Sequence, residues 1–213
     1  MTVNNVAPTV DTPSTSPEPS TEGQSVTASA TFTDPGINDA PFTCTVNYGD
    51  GSGNLPGTIV GNTCTGPAHA YTTYGSYTVT VSVTDKDGGA GSNSTTHTAI
   101  YNFTGFFSPV DNPPAWNTVK AGQAIPVKFS LGGYKGMSIF DAGYPKSAPI
   151  ACPSGVPPSG GAAFASNGGL SYSAATDQYN IVWKTDKAWA GTCRQLVVKL
   201  IDGTEHRANF SFK

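Results

Sequence analysis

From residue 76 to residue 85 apolar and hydroxyl side chains alternate without a break. Tyr77, Val79, Val81 and Val83 fall on one side, and Thr78, Thr80, Ser82 and Thr84 on the other. A period of two belongs to an extended chain whose successive side chains point to opposite faces, so the run predicts a half-buried antiparallel strand. Similar runs predict strands at 25–33, 41–48, 57–65 and 91–101. Residues 7–22 carry four prolines and little bulk, which fits one edge-type strand and its turn, because proline's missing donor is tolerated where it would face solvent. In the second half the pattern returns at 117–131, 179–185, 193–201 and 206–213. Tyr179, Ile181 and Trp183 share a face there, as do Leu196, Val198 and Leu200, and then Ala208, Phe210 and Phe212. Asp202-Gly203 between the last two runs is a hairpin turn signal. The Pro- and Gly-rich residues 151–170 read as a long surface loop. No window keeps apolar residues at helical spacing over three turns, so almost no helix is expected.

Composition sharpens this picture. Charged residues make up only 12% of the chain while Gly (25) and Pro (17) abound, as in short strands joined by many turns. At 213 residues two domains are expected, 1–101 and 102–213. Ile100 runs into Tyr101-Asn-Phe-Thr without a Gly/Ser spacer, which predicts a nearly continuous, semi-rigid junction. The eleven Lys and Arg are scattered and the net charge is −3, which argues against nucleic acid or an anionic membrane surface as partner. No apolar stretch reaches 18 residues, so no transmembrane helix and no membrane insertion is expected. Met1-Thr-Val-Asn-Asn-Val has neither a basic start nor an apolar core, so it is not a signal peptide, and the natural chain is expected to extend further at its N-terminus.

Two resemblances follow from particular residues. Tyr48-Gly-Asp-Gly-Ser52 is a tight turn in which Asp50 can bond its own backbone and the glycines accept positive φ. Taken with His69-Ala-Tyr and the Gly75-Ser-Tyr-Thr-Val-Thr-Val-Ser-Val-Thr-Asp85 run, it resembles the polycystic kidney disease (PKD) domain over roughly residues 5–101. Asn47-Tyr48 lacks the tryptophan often found before that turn, so part of the core must be supplied otherwise. Pro126-Val-Lys-Phe129, Trp183-Lys-Thr185, Ala190-Gly-Thr-Cys-Arg194 and Phe210-Ser-Phe-Lys213 resemble the PxKF domain of bacterial secreted and surface proteins, which brings no activity with it. Together they imply an all-β chain of two tandem immunoglobulin-like antiparallel β-sandwiches. Of three possible connectivities, one bridge per domain, Cys44 to Cys64 and Cys152 to Cys193, keeps each disulfide inside one core; reduced buried thiols are the alternative. Disulfides would place the chain in an oxidising, extracellular or cell-surface setting.

Candidate chemistry is sparse. His69, His97 and His206 stand in different strand contexts without a nucleophile motif, and no catalytic signature is present, so no enzymatic activity is expected. Calcium-binding PKD domains hold the ion with an Asn of the entering chain, an Asp after the second strand and the Asp ending the long strand. The resemblance assigns these roles to Asn5, Asp34 and Asp85, with Asp39 and Asp87 near enough to join. A hard cation accepts six to eight oxygens from such carboxylates, amides and carbonyls. Among the aromatics, Trp183 reads as core, while Trp116 and Trp189 remain as carbohydrate-facing candidates. The reading is a structural, adhesive or spacer segment of a larger surface protein or extracellular filament. The alternative is an accessory, substrate- or carbohydrate-binding region of a secreted hydrolase. Expected partners are neighbouring domains of the same chain, an extracellular polysaccharide or protein, and further copies of itself through sheet edges that few lysines guard.

Overall fold

A computed structural model describes residues 5–36, 38–155, 158, 160–165 and 169–213. The chain divides into two compact units, Met1–Tyr101 and Asn102–Lys213. Both are β-sandwiches of mainly antiparallel sheets, an immunoglobulin-like architecture in tandem. Among the described residues the only helical element is a single 3-10 turn, Lys187–Trp189, and no helix is long and apolar enough to cross a membrane.

The first unit contains β1 (Thr9–Val10), β2 (Ser14–Ser16), β3 (Ser20–Thr21), β4 (Ser25–Thr33), β5 (Thr43–Asn47), β6 (Asn54–Pro56), β7 (Thr58–Val60), β8 (Thr63–Thr65), β9 (His69–Ala70), β10 (Gly75–Thr84) and β11 (Ala90–Ile100). One sheet runs β1-β4-β8-β7, with β2 and β9 also on β4; the other runs β3-β11-β10-β5-β6. The alternation reads out directly: Val79, Val81 and Val83 are buried, and they share one core with Val26, Ala28, Ala30 and Phe32 of β4. Each such valine or larger side chain, once wholly buried, contributes about 1.5–3 kcal/mol. Where a tryptophan was missing, Tyr48 fills the space. It is wholly buried, its hydroxyl donates to Pro67 O at 2.6 Å and accepts from Ala28 N at 3.3 Å, and Tyr71 Oη donates to Tyr48 O at 3.0 Å.

Two expectations change here. The run 57–65 is a hairpin of two strands rather than one, because Gly61, at φ +60, and Asn62 turn the chain between β7 and β8. Residues 7–22 are not one edge strand: β1 and β2 pair with β4, and then the chain crosses to the other sheet, where β3 lies parallel to β11. The closely spaced prolines cut the segment into pieces too short to stay on one sheet.

The second unit contains β12 (Phe106–Phe107), β13 (Trp116–Val119), β14 (Ala124–Phe129), β15 (Lys146–Ile150), β16 (Ala163–Phe164), β17 (Leu170–Ser173), β18 (Gln178–Lys184), β19 (Cys193–Lys199) and β20 (Glu205–Phe212). Its sheets run β12-β14-β18-β17 and β13-β20-β19-β15-β16. The run 117–131 splits at Gly122, φ +83, so that β13 and β14 lie in different sheets. The core is aromatic: Trp183 meets Phe210 edge-on at 4.9 Å, and Phe129 stacks with Tyr179 at 5.6 Å. Part of 151–170 is a strand after all, since Ala163–Phe164 pairs with Lys146 and Ser147. β19 departs from simple alternation. Arg194, Leu196 and Val198 share the core-facing side, yet Cys193 and Val197 on the other side are buried as well.

The two disulfides have different geometry. Cys44 in β5 bonds Cys64 in β8 and so ties the first unit's two sheets together through the core. Gly57 makes room for it, because a Cβ there would stand 2.6 Å from Cys44 Sγ. Cys152 bonds Cys193 just past the Ile150↔Cys193 pair, joining neighbouring segments of one sheet.

Candidate functional site

At one end of the first unit three segments meet. β4 delivers Asp34 immediately after Thr33, β10 delivers Asp85 immediately after Thr84, and the entering chain brings Asn5. One carboxylate oxygen from each of Asp34, Asp39 and Asp85 lies within 4.8 Å of the others. Asp85 Oδ1 accepts from the N–H groups of Asp87 at 2.9 Å and Gly89 at 2.8 Å, and its Oδ2 accepts from Asn5 Nδ2 at 2.9 Å. Asp34 Oδ1 accepts from Gly36 N at 2.7 Å, and its Oδ2 is buried with no hydrogen-bond partner. Asn5 and Asp85 fit together because residue 89 is glycine: a Cβ there would come within 2.5 Å of Asp85 Oδ2 and 2.7 Å of Asn5 Nδ2.

The electrostatics of this corner are uneven. Burial and the neighbouring Asp34 charge push the Asp39 carboxyl above its ordinary value. Burial acts in the same direction on Asp85, but the Asn5 amide and the N–H groups of Gly89, Asp87 and Gly88 outweigh it and hold that carboxyl below its ordinary value. Lys86 supplies a local cation: its ammonium donates to Asn38 O and to Asp87 at 3.1 Å, and stands 3.9 Å from Asp39 Oδ1. Carboxylates this close are mutually repulsive unless a positive charge lies between them, and a hard divalent cation accepts such a donor set in irregular geometry. An orphaned buried carboxylate oxygen and three converging acids fit a calcium ion. Asn5 presents its amide nitrogen to Asp85, and a half-turn of that amide would present the oxygen instead.

Of the residues nominated from sequence, Asn5, Asp34 and Asp85 come together, Asp39 joins them, and Asp87 turns its side chain to Lys86. Lys86 and Gly89 were not anticipated, although both lie in the Asp85-Lys-Asp-Gly-Gly89 turn that the long strand runs into.

The histidines lie elsewhere. His69 Nε2 is 2.9 Å from Asp50 Oδ2 and its ring stacks on Tyr48 at 4.3 Å, which pins the Gly49-Asp50-Gly51 turn. His206 stacks on Phe103 and meets Thr204 Oγ1 at 3.0 Å. His97 has a partner that the sequence did not reveal. Its Nε2 is 2.8 Å from Ser20 Oγ, while Nδ1 faces Glu18 and Thr15 Oγ1. The connectivity is that of a nucleophile, base and carboxylate, but Ser20 and His97 are both 0% exposed and Tyr71 stacks on the imidazole at 4.8 Å. A hydroxyl sealed in this way is a structural hydrogen bond holding β3 to β11.

In the second unit Trp183 is buried in the core, and Trp116 opens β13 half-buried. Trp189 lies in the 3-10 turn after β18 and lines an open cleft of about 470 Å³ together with Phe164, Lys184, Thr185, Asp186 and Lys187. Arg194 places its guanidinium 4.1 Å from the centre of the Trp189 ring.

A family model described as the PKD domain matches residues 5–100, the extent of the first unit. No curated protein matches the sequence significantly. Among solved structures, an I-band fragment of titin aligns at 16% identity and a TM-score of 0.36, covering 98% of this chain and 66% of that one. The N-terminal eight Ig domains of Down syndrome cell adhesion molecule align at 10% identity and 0.44, covering 98% of this chain and 25% of the other. A structure of carbohydrate-binding modules from the β-sandwich superfamily aligns at 17% identity and 0.40, covering 97% of each chain.

Proposed function

We propose that the chain is a non-catalytic, extracellular structural segment of a larger surface protein or filament, in which calcium ties the entering chain to the first sandwich. The observation that carries this is the convergence of Asn5, Asp34, Asp39 and Asp85, with Asp34 Oδ2 buried and unpartnered. Asn5, Asp34, Asp39 and Asp85 would hold the ion, whose role is electrostatic: it neutralises the acids and links the chain's entry to the ends of β4 and β10. The PKD match over 5–100 and two disulfides of the kind found in oxidising compartments support the extracellular setting. The PxKF-like reading of the second half rests on its residue pattern. An edge suited to assembly supports the filament reading, since β7 closes its sheet with Val60 76% exposed and no lysine on the strand.

Thermal unfolding followed by circular dichroism, with calcium and with chelator, tests the proposal. Extracellular modules bind calcium with dissociation constants of about 0.1–1 mM, so about 10 mM calcium stabilises by about 1.4–2.7 kcal/mol and raises the midpoint of a domain this size by roughly 5 °C or more. Asp34→Asn and Asp85→Asn should abolish that shift. Asp39→Asn should raise the midpoint in chelator, because it removes a repulsive charge. An identical midpoint in calcium and chelator sinks the site.

A further inference from the structure

We propose that the Trp189 cleft of the second unit binds an acidic polysaccharide, taking a carboxylated sugar ring against its aromatic walls. This inference is independent of the calcium corner. The cleft's size suits one or two sugar rings, as small-ligand sites run to a few hundred Å³. Two aromatic side chains line it, Trp189 and Phe164, and Phe164 is 53% exposed on the edge strand β16. A pyranose ring presents C–H groups on its faces and hydroxyls around its rim, so it covers an aromatic surface without burying unpaired polar groups.

Charge decides which sugar. The chain is net negative, yet this cleft gathers Lys184 and Lys187 at its walls and Arg194 over the Trp189 ring. Neither lysine has an ion-pair partner among the described residues. Lys187 is held by its stem, which lies so close to Gly122 that a Cβ there would stand 2.5 Å from Lys187 Cγ. Arg194 is 1% exposed, and its hydrogen bonds go to the Ser147 hydroxyl and to the carbonyls of Ser147 and Gly161, none of them charged. Asp186 is the one acid lining the cleft, and its Oδ1 is engaged in capping Ala188 N. Two exposed lysines therefore face one carboxylate that is partly occupied, with the buried Arg194 guanidinium against the Trp189 ring. A neutral glycan would leave those charges unanswered, and an anion without a ring would leave the aromatic walls wet. A uronate-type residue satisfies both.

The test is calorimetric titration of the whole chain with oligogalacturonate, with cellohexaose as the neutral ring and polyglutamate as the ringless polyanion. Oligogalacturonate should bind most tightly, with an affinity that falls as salt rises. The Lys184→Glu/Lys187→Glu double variant should lose about tenfold or more in affinity, a change of about 1.4 kcal/mol or more. Both lysines are exposed, so the fold is preserved. Phe164→Ala should weaken oligogalacturonate but leave polyglutamate unchanged. The proposal is overturned if cellohexaose binds as tightly as oligogalacturonate, if polyglutamate does, if charge reversal changes nothing, or if millimolar oligogalacturonate evolves no binding heat.

Discussion

The two sandwiches solve one packing problem differently. In the first, a strand buries one face: β10 alternates valines inward with threonines outward, and the disulfide crosses the core from sheet to sheet. In the second, β19 buries both faces, with Arg194, Leu196 and Val198 on the core side, where Trp189 and Gly161 close over the guanidinium, and with Cys193 and Val197 on the outer side. Its disulfide lies within one sheet, where it fastens Cys152, just past the end of β15, to the start of β19. Unit one is thus held by what lies between its sheets, and unit two also by the burial of Cys193 and Val197 on the outer side of one of them.

Removing the disulfides should expose this contrast most strongly. Loop closure alone assigns about 3 kcal/mol to the bridge spanning 20 residues and about 4 kcal/mol to the one spanning 41. The Cys44→Ala/Cys64→Ala variant should lose more than its loop share, because both sulfurs are embedded in the core and their loss leaves a void. Cys152→Ala/Cys193→Ala should lose close to its loop share. Urea midpoints standing in the bare loop-entropy order and ratio would break the comparison.

Substituting single strand positions should have the next largest effect. Arg194→Met removes donors from the buried Ser147 hydroxyl and carbonyl and from the Gly161 carbonyl, and should cost about 1–3 kcal/mol. Thr80→Ala, on the outward face of β10, should stay within about 0.5 kcal/mol. All three tryptophans lie in the second unit, so their fluorescence in urea reports its unfolding alone. A neutral Arg194→Met would show that the sealed guanidinium adds nothing.

Acidification should have the smallest effect, and a similar one in both units. Burial holds His97 and His206 below the ordinary histidine value, against the opposing charges of Glu18 and Asp202 respectively. A histidine depressed in the fold binds its proton more readily in the unfolded chain. Its stability contribution is therefore complete above the unfolded value near 6.5 and declines as pH falls below it. Asp50, Asp85, Asp141 and Asp177 are held low as well, but their losses begin only in the carboxylate range. Between pH 7 and 5.5 the midpoints of both units should fall, and His97→Gln and His206→Gln should each flatten the curve of its own unit. Stability that rises on acidification in this window would contradict the assignment.

Much of the fold was legible because period two survives wherever one face meets water. Residues 25–33 are a strand throughout, and the long run ending at Asp85 moved by one residue at each end. What was hidden depended on partners distant in sequence. Lys146–Ile150 lacks alternation because it lies between β19 and β16 with side chains half-covered on both sides. The acid corner was half legible: the family resemblance nominated Asp34 and Asp85, with Asp39 near enough to join, whereas Lys86 enters through loop geometry that no periodicity encodes. Ser20 meets His97 only because the proline-cut entry crosses between sheets and brings residues 77 apart into contact.

That crossing also sets how each unit would carry a mechanical load. β3 lies parallel to β11, and β13 parallel to β20, so in both units an early strand runs alongside the last one in the same direction. A pull transmitted backward along the early strand and forward along the last slides the two past each other. Every rung between them then shares the force, whereas an antiparallel edge pair drawn from one end opens rung by rung. Two residue pairs share the force in the first unit and four in the second, and the second is further fastened by Lys213 N to Val119 O at 2.8 Å and Ala121 N to Lys213 O at 3.0 Å. Under tension the chain is graded, with a shorter clasp in its first unit and a longer one in its second.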